Sequence, residues 1–454
     1  MRARHRLTMG LVLGLAGTIA TVVAAPAAPA SVASFRNFAH PSDVSNAGEP
    51  TLGVNRETNT VLYQSYTNTY AVTGFNARTG AAEWKTSNAI LTSVTSLDPI
   101  IETDFETGRT FVSQLTGACS LMAYTDNDGR NWQEVPDGCG AGSVFDHQTV
   151  GTGAFVPGGT LRPATSYPRA VYYCSQAIVV TNCATSVDGG LTFLPAVNAW
   201  TSAGSGCTTI HGHVSSAPDG TVYLPPRSCR GGTGVAVSEN NGLSWTIRQV
   251  PGSVAPQASN NAKDPSIAAG ADGTAYLSWG QKVETDDAFN TVPHVAVTRD
   301  KGRTWTKPVA LGQEFRVQNT KFISTVAGDG DRAAIAFLGT STSGPDQLPT
   351  FEGVWRLYVA FTYDRGRTWR TVLATPESPV QVGRICDNSG SCAGTRNLLD
   401  FMDVTADAQG RVLVAFADGC LEKSCDTKSR FAAATISRQS TGRGLYRAFD
   451  TVVK

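Results

Sequence analysis

The chain has 454 residues, with 37 Lys+Arg against 37 Asp+Glu and only 16% charged residues. That balance leaves no basic patch of the kind nucleic-acid binding requires. Forty-six glycines, together with abundant Ser and Thr, suit short strands and tight turns, and no convincing long amphipathic helix is legible.

Residues 1–30 read as a secretory signal peptide. Arg2, Arg4 and Arg6 form a basic head, Leu7 to Ala25 is apolar, and Ala28-Pro-Ala30 resembles a small-residue cleavage site. A retained membrane anchor is the alternative, with an apolar run that is short for a span. Removal leaves residues 31–454 as one domain with a net charge of about −3, secreted and free of the membrane. No later segment is apolar enough to cross a bilayer.

From residue 49 onward, one pattern recurs: a polar residue, a short apolar strand, a Gly-containing turn and another strand. Its copies begin at Glu49, Asp98, Asp146, His213, Asp264, Lys321 and Asp400. A second phrase follows most of them, of the form Ser/Thr-x-Asp/Asn-x-Gly-x-(Thr/Ser/Asn)-Trp/Phe. It runs Thr125 to Trp132, Ser186 to Phe193, Ser238 to Trp245, Thr298 to Trp305 and Thr362 to Trp369. The Asx positions are spaced 61, 52, 60 and 64 residues apart, a period that signals a radial or stacked repeat. Each phrase joins two alternating apolar runs, so it reads as a hairpin turn. The Asx side chain closes the turn, Gly supplies the positive φ, the hydroxyl caps it, and the aromatic is free to bury between units. A degenerate copy spans Asn76 to Trp84, and a poor one lies near Ser437.

The phrase resembles the Asp-box, or BNR repeat, of sialidase-like β-propellers. The resemblance implies an all-β propeller of four-stranded antiparallel blades, with the box on the face away from the ligand. Seven strand starts predict seven blades, with six as the runner-up. Val32 to Phe38 is placed to supply the last outer strand, and Gly444 to Val453 is an alternative clasp.

Ten cysteines in an exported chain read as disulfides. Nearest-neighbour pairing gives Cys119–Cys139, Cys174–Cys183, Cys207–Cys229, Cys386–Cys392 and Cys420–Cys425, although sequence does not fix connectivity.

In such a ring the strand starts converge on one axis. The candidate catalytic residues are Asp98, Asp146, Asp264, His147, His211, His213 and Asp400. Glu49, Lys263, Lys321, Arg227, Arg384, Arg396, Trp200 and Trp355 are candidates to bind substrate. The alternative for the aspartates is a set of caps on strand ends, and for each histidine a buried, hydrogen-bonded core residue. No cofactor motif and no metal-ligand set is legible; a structural calcium stays open, and oligomeric state is expected to be monomeric.

A sialidase site needs an arginine triad, an acid/base Asp and a Tyr–Glu pair. Its first arginine lies in an Arg-Ile-Pro phrase, and Phe35-Arg36-Asn-Phe38 departs from that. Three functions follow for a glycan partner: a glycoside hydrolase with paired axial carboxylates, a polysaccharide lyase with a His or Tyr base, or a non-catalytic binding propeller.

Overall fold

Alternating short apolar runs and glycine turns fold here into hairpins, and the hairpins into sheets. In a computed structural model, residues 32–42, 47–66, 68–87, 97–116, 120–135, 146–256, 263–284, 289–386, 396–420, 425 and 432–450 are described. The 1–30 segment, Cys119, Cys139, Cys392, Asp286 and Asp287 lie outside them. Residues 31–454 make one compact unit. No helix among the described residues is long and apolar enough to cross a membrane.

The fold is an all-β propeller built from antiparallel sheets. Five sheets have four strands, and a sixth has nine. The nine-stranded sheet passes through one parallel pairing, Thr291 with Asn319. Divided there, it gives one part led by Ser266–Ala269 and another led by Asn319–Ala327. The inner strands are Thr51–Val54, Leu97–Thr103, Asp146–Gly153, Ser215–Ser216, Ser266–Ala269, Asn319–Ala327 and Asp403–Ala406. Each touches the next, and the last touches the first.

The core lies between sheets rather than inside one. Leu62 packs with Ile101 and Val112 of the second sheet, and Val237 with Leu277 and Trp279 across the fourth and fifth. Leu52 and Tyr63 of the first sheet meet Leu413 and Ile436 of the last, which closes the ring. The turn aromatics Trp132, Phe193, Trp245, Trp305 and Trp369 each sit half-buried in one of these seams.

The five turns form as their chemistry requires. In the Thr298 turn, Gly302 N–H donates to Thr298 Oγ1 at 2.8 Å, Thr304 N–H to Asp300 Oδ1 at 2.8 Å, and Thr304 Oγ1 to Asp300 Oδ2 at 2.6 Å. The glycine takes φ 84°, where a side chain would be strained. Asn76 closes a comparable turn through Arg78 N–H at 3.0 Å. The copy expected near Ser437 is not a turn. Ser437 lies inside the strand Ala433–Thr441, because the last sheet takes its fourth strand from the other end of the chain. Ser34–Ala39 supplies it, paired antiparallel from Ser34 with Thr441 to Ala39 with Thr435. Of the 444–453 clasp, residues 444–450 are described; they form no strand and place a short helical turn at Arg447–Phe449.

Three disulfides are as expected: Cys174–Cys183, Cys207–Cys229 and Cys420–Cys425. The first links directly opposed residues of adjacent strands. Cys386 is also disulfide-bonded.

Candidate functional site

The inner strands all run the same way through the ring, so their leading residues share one mouth. Most of those leads adopt left-handed backbone: Glu49 (φ 56°), Asp98 (47°), His147 (47°), Lys263 (66°), Phe322 (54°) and Leu399 (59°). Such conformations cost about 1–3 kcal/mol each for non-glycine residues and persist where surroundings over-determine them. Register breaks accompany three of them, between Leu97 and Ile100, Asp146 and Gln148, and Lys321 and Ser324. A bulge re-aims a side chain, and the first two breaks leave Asp98 and His147 within 3.2 Å of each other. In the fourth unit, Gly212 does this work. A Cβ there would lie 2.1 Å from the Pro265 carbonyl oxygen, so the turn between His211 and His213 admits only glycine.

The leads then hydrogen-bond from sheet to sheet. Asp98 N–H donates to Glu49 Oε2 at 3.1 Å, and Gln148 Nε2 donates to the Asp98 carbonyl at 2.7 Å. His147 Nδ1 lies 3.2 Å from Asp98 Oδ1. The His147 ring is 5.0 Å from His211 and stacks at 5.8 Å on His213, while Phe401 packs against both His147 and His213. Arg227 binds Asp264 through both nitrogens, at 2.6 and 3.2 Å. Lys263 reaches Asp400 at 3.0 Å, and Arg396 pairs with the same carboxylate.

Charge is therefore unevenly shared. Burial raises the Glu49 carboxyl well above its ordinary range, and Asp98 and Asp400 add to this. Asp146 is also raised, by burial and then by Asp98. Burial pushes Asp264 up too, but Arg227 outweighs it and holds that group at about 2. Asp400 is lowered in the same sense, by Lys263 and Arg396 against burial. Burial opposes charge on His147, yet the Asp98 hydrogen bond and neighbouring acids raise it. His211 and His213 fall to about 3, through burial and the charge of His147.

One oxygen from each of Glu49, Asp98 and Asp400 lies within 4.8 Å of the others. Metal-ligating atoms thus come together here. The Asp400 charge is already met by Lys263 and Arg396, so a cation would have to compete with both.

Below the mouth, a channel cavity of ≈ 210 Å³ runs between the inner strands, lined by His213, Glu102 and Asp403 among others. Burial, then Asp403 and Asp104, raise Glu102 to about 8. Burial raises Asp403 to about 6.

Some expected residues face elsewhere. Lys321 is fully enclosed and bound to the equally enclosed Asp346 at 3.1 Å, so it cannot meet a ligand from solvent. Trp355 is sealed in the core, its indole N–H donating to the Gly383 carbonyl at 2.8 Å. Trp200 is 5% exposed and donates to the Thr208 carbonyl at 2.9 Å, so it backs His211 rather than offering a platform. Arg384 approaches the Gln347 carbonyl at 3.5 Å. Arg36 sits on the outermost strand, paired with Glu377 at 2.7 Å, and has no place at the axis. Sequence reasoning missed Phe401, although it adjoins Asp400, and it missed the channel acids Glu102 and Asp403.

No protein-family model matches this chain, and no curated protein matches it. Solved structures do. A Niastella koreensis GH74 enzyme is 14% identical at TM-score 0.49, covering 88% of this chain and 55% of its own. The chain thus spans about half the length of that structure. A Hadza microbial sialidase is 16% identical at TM-score 0.44, covering 68% of this chain and 66% of its own. An Aleuria aurantia lectin mutant in complex with Fucalpha1-6GlcNAc is 12% identical at TM-score 0.42, covering 77% of this chain and 100% of its own.

Proposed function

We propose that the protein is a secreted, glycan-active propeller that hydrolyses a glycosidic bond with paired carboxylates at the axial mouth. The observation that supports this is a split in protonation on one mouth. Asp146 is exposed and raised, while Asp400 is lowered and its side chain keeps 24% of its surface. Carboxyl groups pushed apart in this way mark an acid and a base. Asp146 would protonate the leaving oxygen, and Asp400 would attack the anomeric carbon or activate water, their separation deciding the stereochemistry. Arg227 and Arg396, already beside this pair, would hold hydroxyl or carboxylate groups of the sugar. Glu49 and His147 would position the cluster through Asp98. Export is supported by three disulfides, which persist in oxidising surroundings.

Binding without turnover is favoured by one specific feature: Asp264 and Asp400 are already ion-paired. The lyase reading has less support, since His211 and His213 near 3 are poor bases at neutral pH. The test is a glycan panel assayed for reducing-end release, for unsaturated-uronate absorbance and for binding. Release that falls by about 10²–10⁴ in Asp146→Asn and Asp400→Asn supports hydrolysis. Release that survives both changes removes this assignment, and binding without release selects the second reading.

A further inference from the structure

The channel has a second mouth, on the face where the Asp-containing turns lie. The loops that follow the inner strands meet there and enclose a cavity of ≈ 620 Å³. Its wall includes Arg56, Phe105, Phe155, Arg169, Pro218 and Tyr446. The volume is in the range of small-molecule sites, and the lining mixes apolar groups with the polar side chains of Arg56, Glu106, Arg169 and Ser216.

Arg56 gives this cavity its chemistry. Its guanidinium lies 4.6 Å from the Phe105 ring centre and 5.0 Å from that of Tyr446. Both are cation–π distances, and a guanidinium carries its N–H donors in its plane. No carboxylate among the described residues forms an ion pair with Arg56. The other arginine in the wall is committed: Arg169 binds Asp104 at 3.2 Å and Glu106 at 2.9 Å. Phe105 is 48% exposed and lies between two guanidinium groups, those of Arg56 and Arg169. The same Arg56 and Phe105 line the narrower channel cavity, so the pocket is the channel's outer end.

We infer that this far mouth binds a small organic carboxylate with an apolar or aromatic body. The carboxylate would meet the N–H edge of Arg56 as a charge-assisted, two-point contact. The body would lie against Phe105, Phe155 and Pro218. The pocket is separate from the axial carboxylates, and the inference stands whether or not those hydrolyse glycans.

The test uses the full mature chain and ligand-observed NMR titration with benzoate. Benzyl alcohol, benzylamine and inorganic phosphate are the comparison probes. Benzoate should saturate with a Kd on the order of 1 mM, at least about tenfold tighter than the alcohol, the amine or phosphate. Arg56→Gln should weaken benzoate by about tenfold or more, and Phe105→Ala by about three- to fivefold. Phe105→Ala keeps the test alive should Arg56→Gln fail to fold, since its side chain is half exposed. Equal binding of benzoate and benzyl alcohol, or benzoate binding unchanged in the two variants, overturns the site. Phosphate binding as tightly as benzoate overturns the ligand class.

Discussion

The two faces of the ring use the same side chain in opposite ways. On one face Asp188, Asp300 and Asp364 close turns. Each meets donors from its own hairpin, and each is lowered because the threonine hydroxyl and backbone N–H groups four residues on outweigh the modest effect of burial. On the other face Asp98, Asp146, Asp264 and Asp400 come from separate stretches and meet one another. Asp146, Asp264 and Asp400 are split in protonation by burial, by like charges and by Arg227, Lys263 and Arg396. A carboxylate satisfied within its own repeat is structural. Carboxylates that find their neighbours only after the ring closes are available for chemistry.

The sharpest way to break that contrast is by turnover. Asp400→Asn should lower glycan hydrolysis by about 10²–10⁴, whereas Asp300→Asn should leave it within about twofold, because Asn240 closes an equivalent turn. Equal losses from both changes would erase the distinction. A third use of an acid, the enclosed Lys321–Asp346 pair, gives the next largest effect. Lys321→Met should cost about 3–5 kcal/mol in denaturant unfolding by leaving a buried charge unpaired, and adding Asp346→Leu should recover most of it.

Smaller effects depend on pH. His211 and His213 are held at about 3, below the ordinary 6.5. Between those values the unfolded chain takes up protons that the folded one refuses. Stability should therefore fall as pH drops from 6.5 towards 3, and His213→Gln should flatten part of that slope in thermal melts. Glu102 has the opposite sign. Its folded carboxyl titrates at about 8 against 4.5, so stability is lost as pH rises through that window. Glu102→Gln should gain on the order of 2 kcal/mol at pH 9 and almost nothing at pH 4.5. Smallest of all, Asp300→Ala should cost about 1 kcal/mol of stability, the worth of its turn hydrogen bonds.

Much of this was open to a reader of the sequence. The Ser/Thr-Asx-Gly phrase carries its own turn chemistry, so the hairpins and the repeat followed from it. The leads Glu49, Asp98, Asp146, Asp264 and Asp400 were visible because each precedes an apolar strand. Which side chains face the axis was not visible. Lys321 leads its strand as Lys263 does, yet a register break between Lys321 and Ser324 and the partner Asp346 bury it. Trp355 and Trp200 were read as candidates to bind substrate because they adjoin polar loops, but their indole N–H groups find carbonyls inside the core. The left-handed backbone at Asp98 and His147 suits residue types enriched in that region, but most Asp and His residues do not adopt it, so only the assembled ring singles these two out.

The strand Ser34–Ala39 completes the last sheet by pairing with Ala433–Thr441. Its hydrogen-bonding mate therefore follows it in synthesis by up to 407 residues. Nearly the whole chain must be in place before this seam can be sewn, which makes the join the natural slow step of maturation. Trimming a handful of residues there would leave a hoop without its buckle, with the 433–441 edge bare and ready to recruit a strand from another molecule.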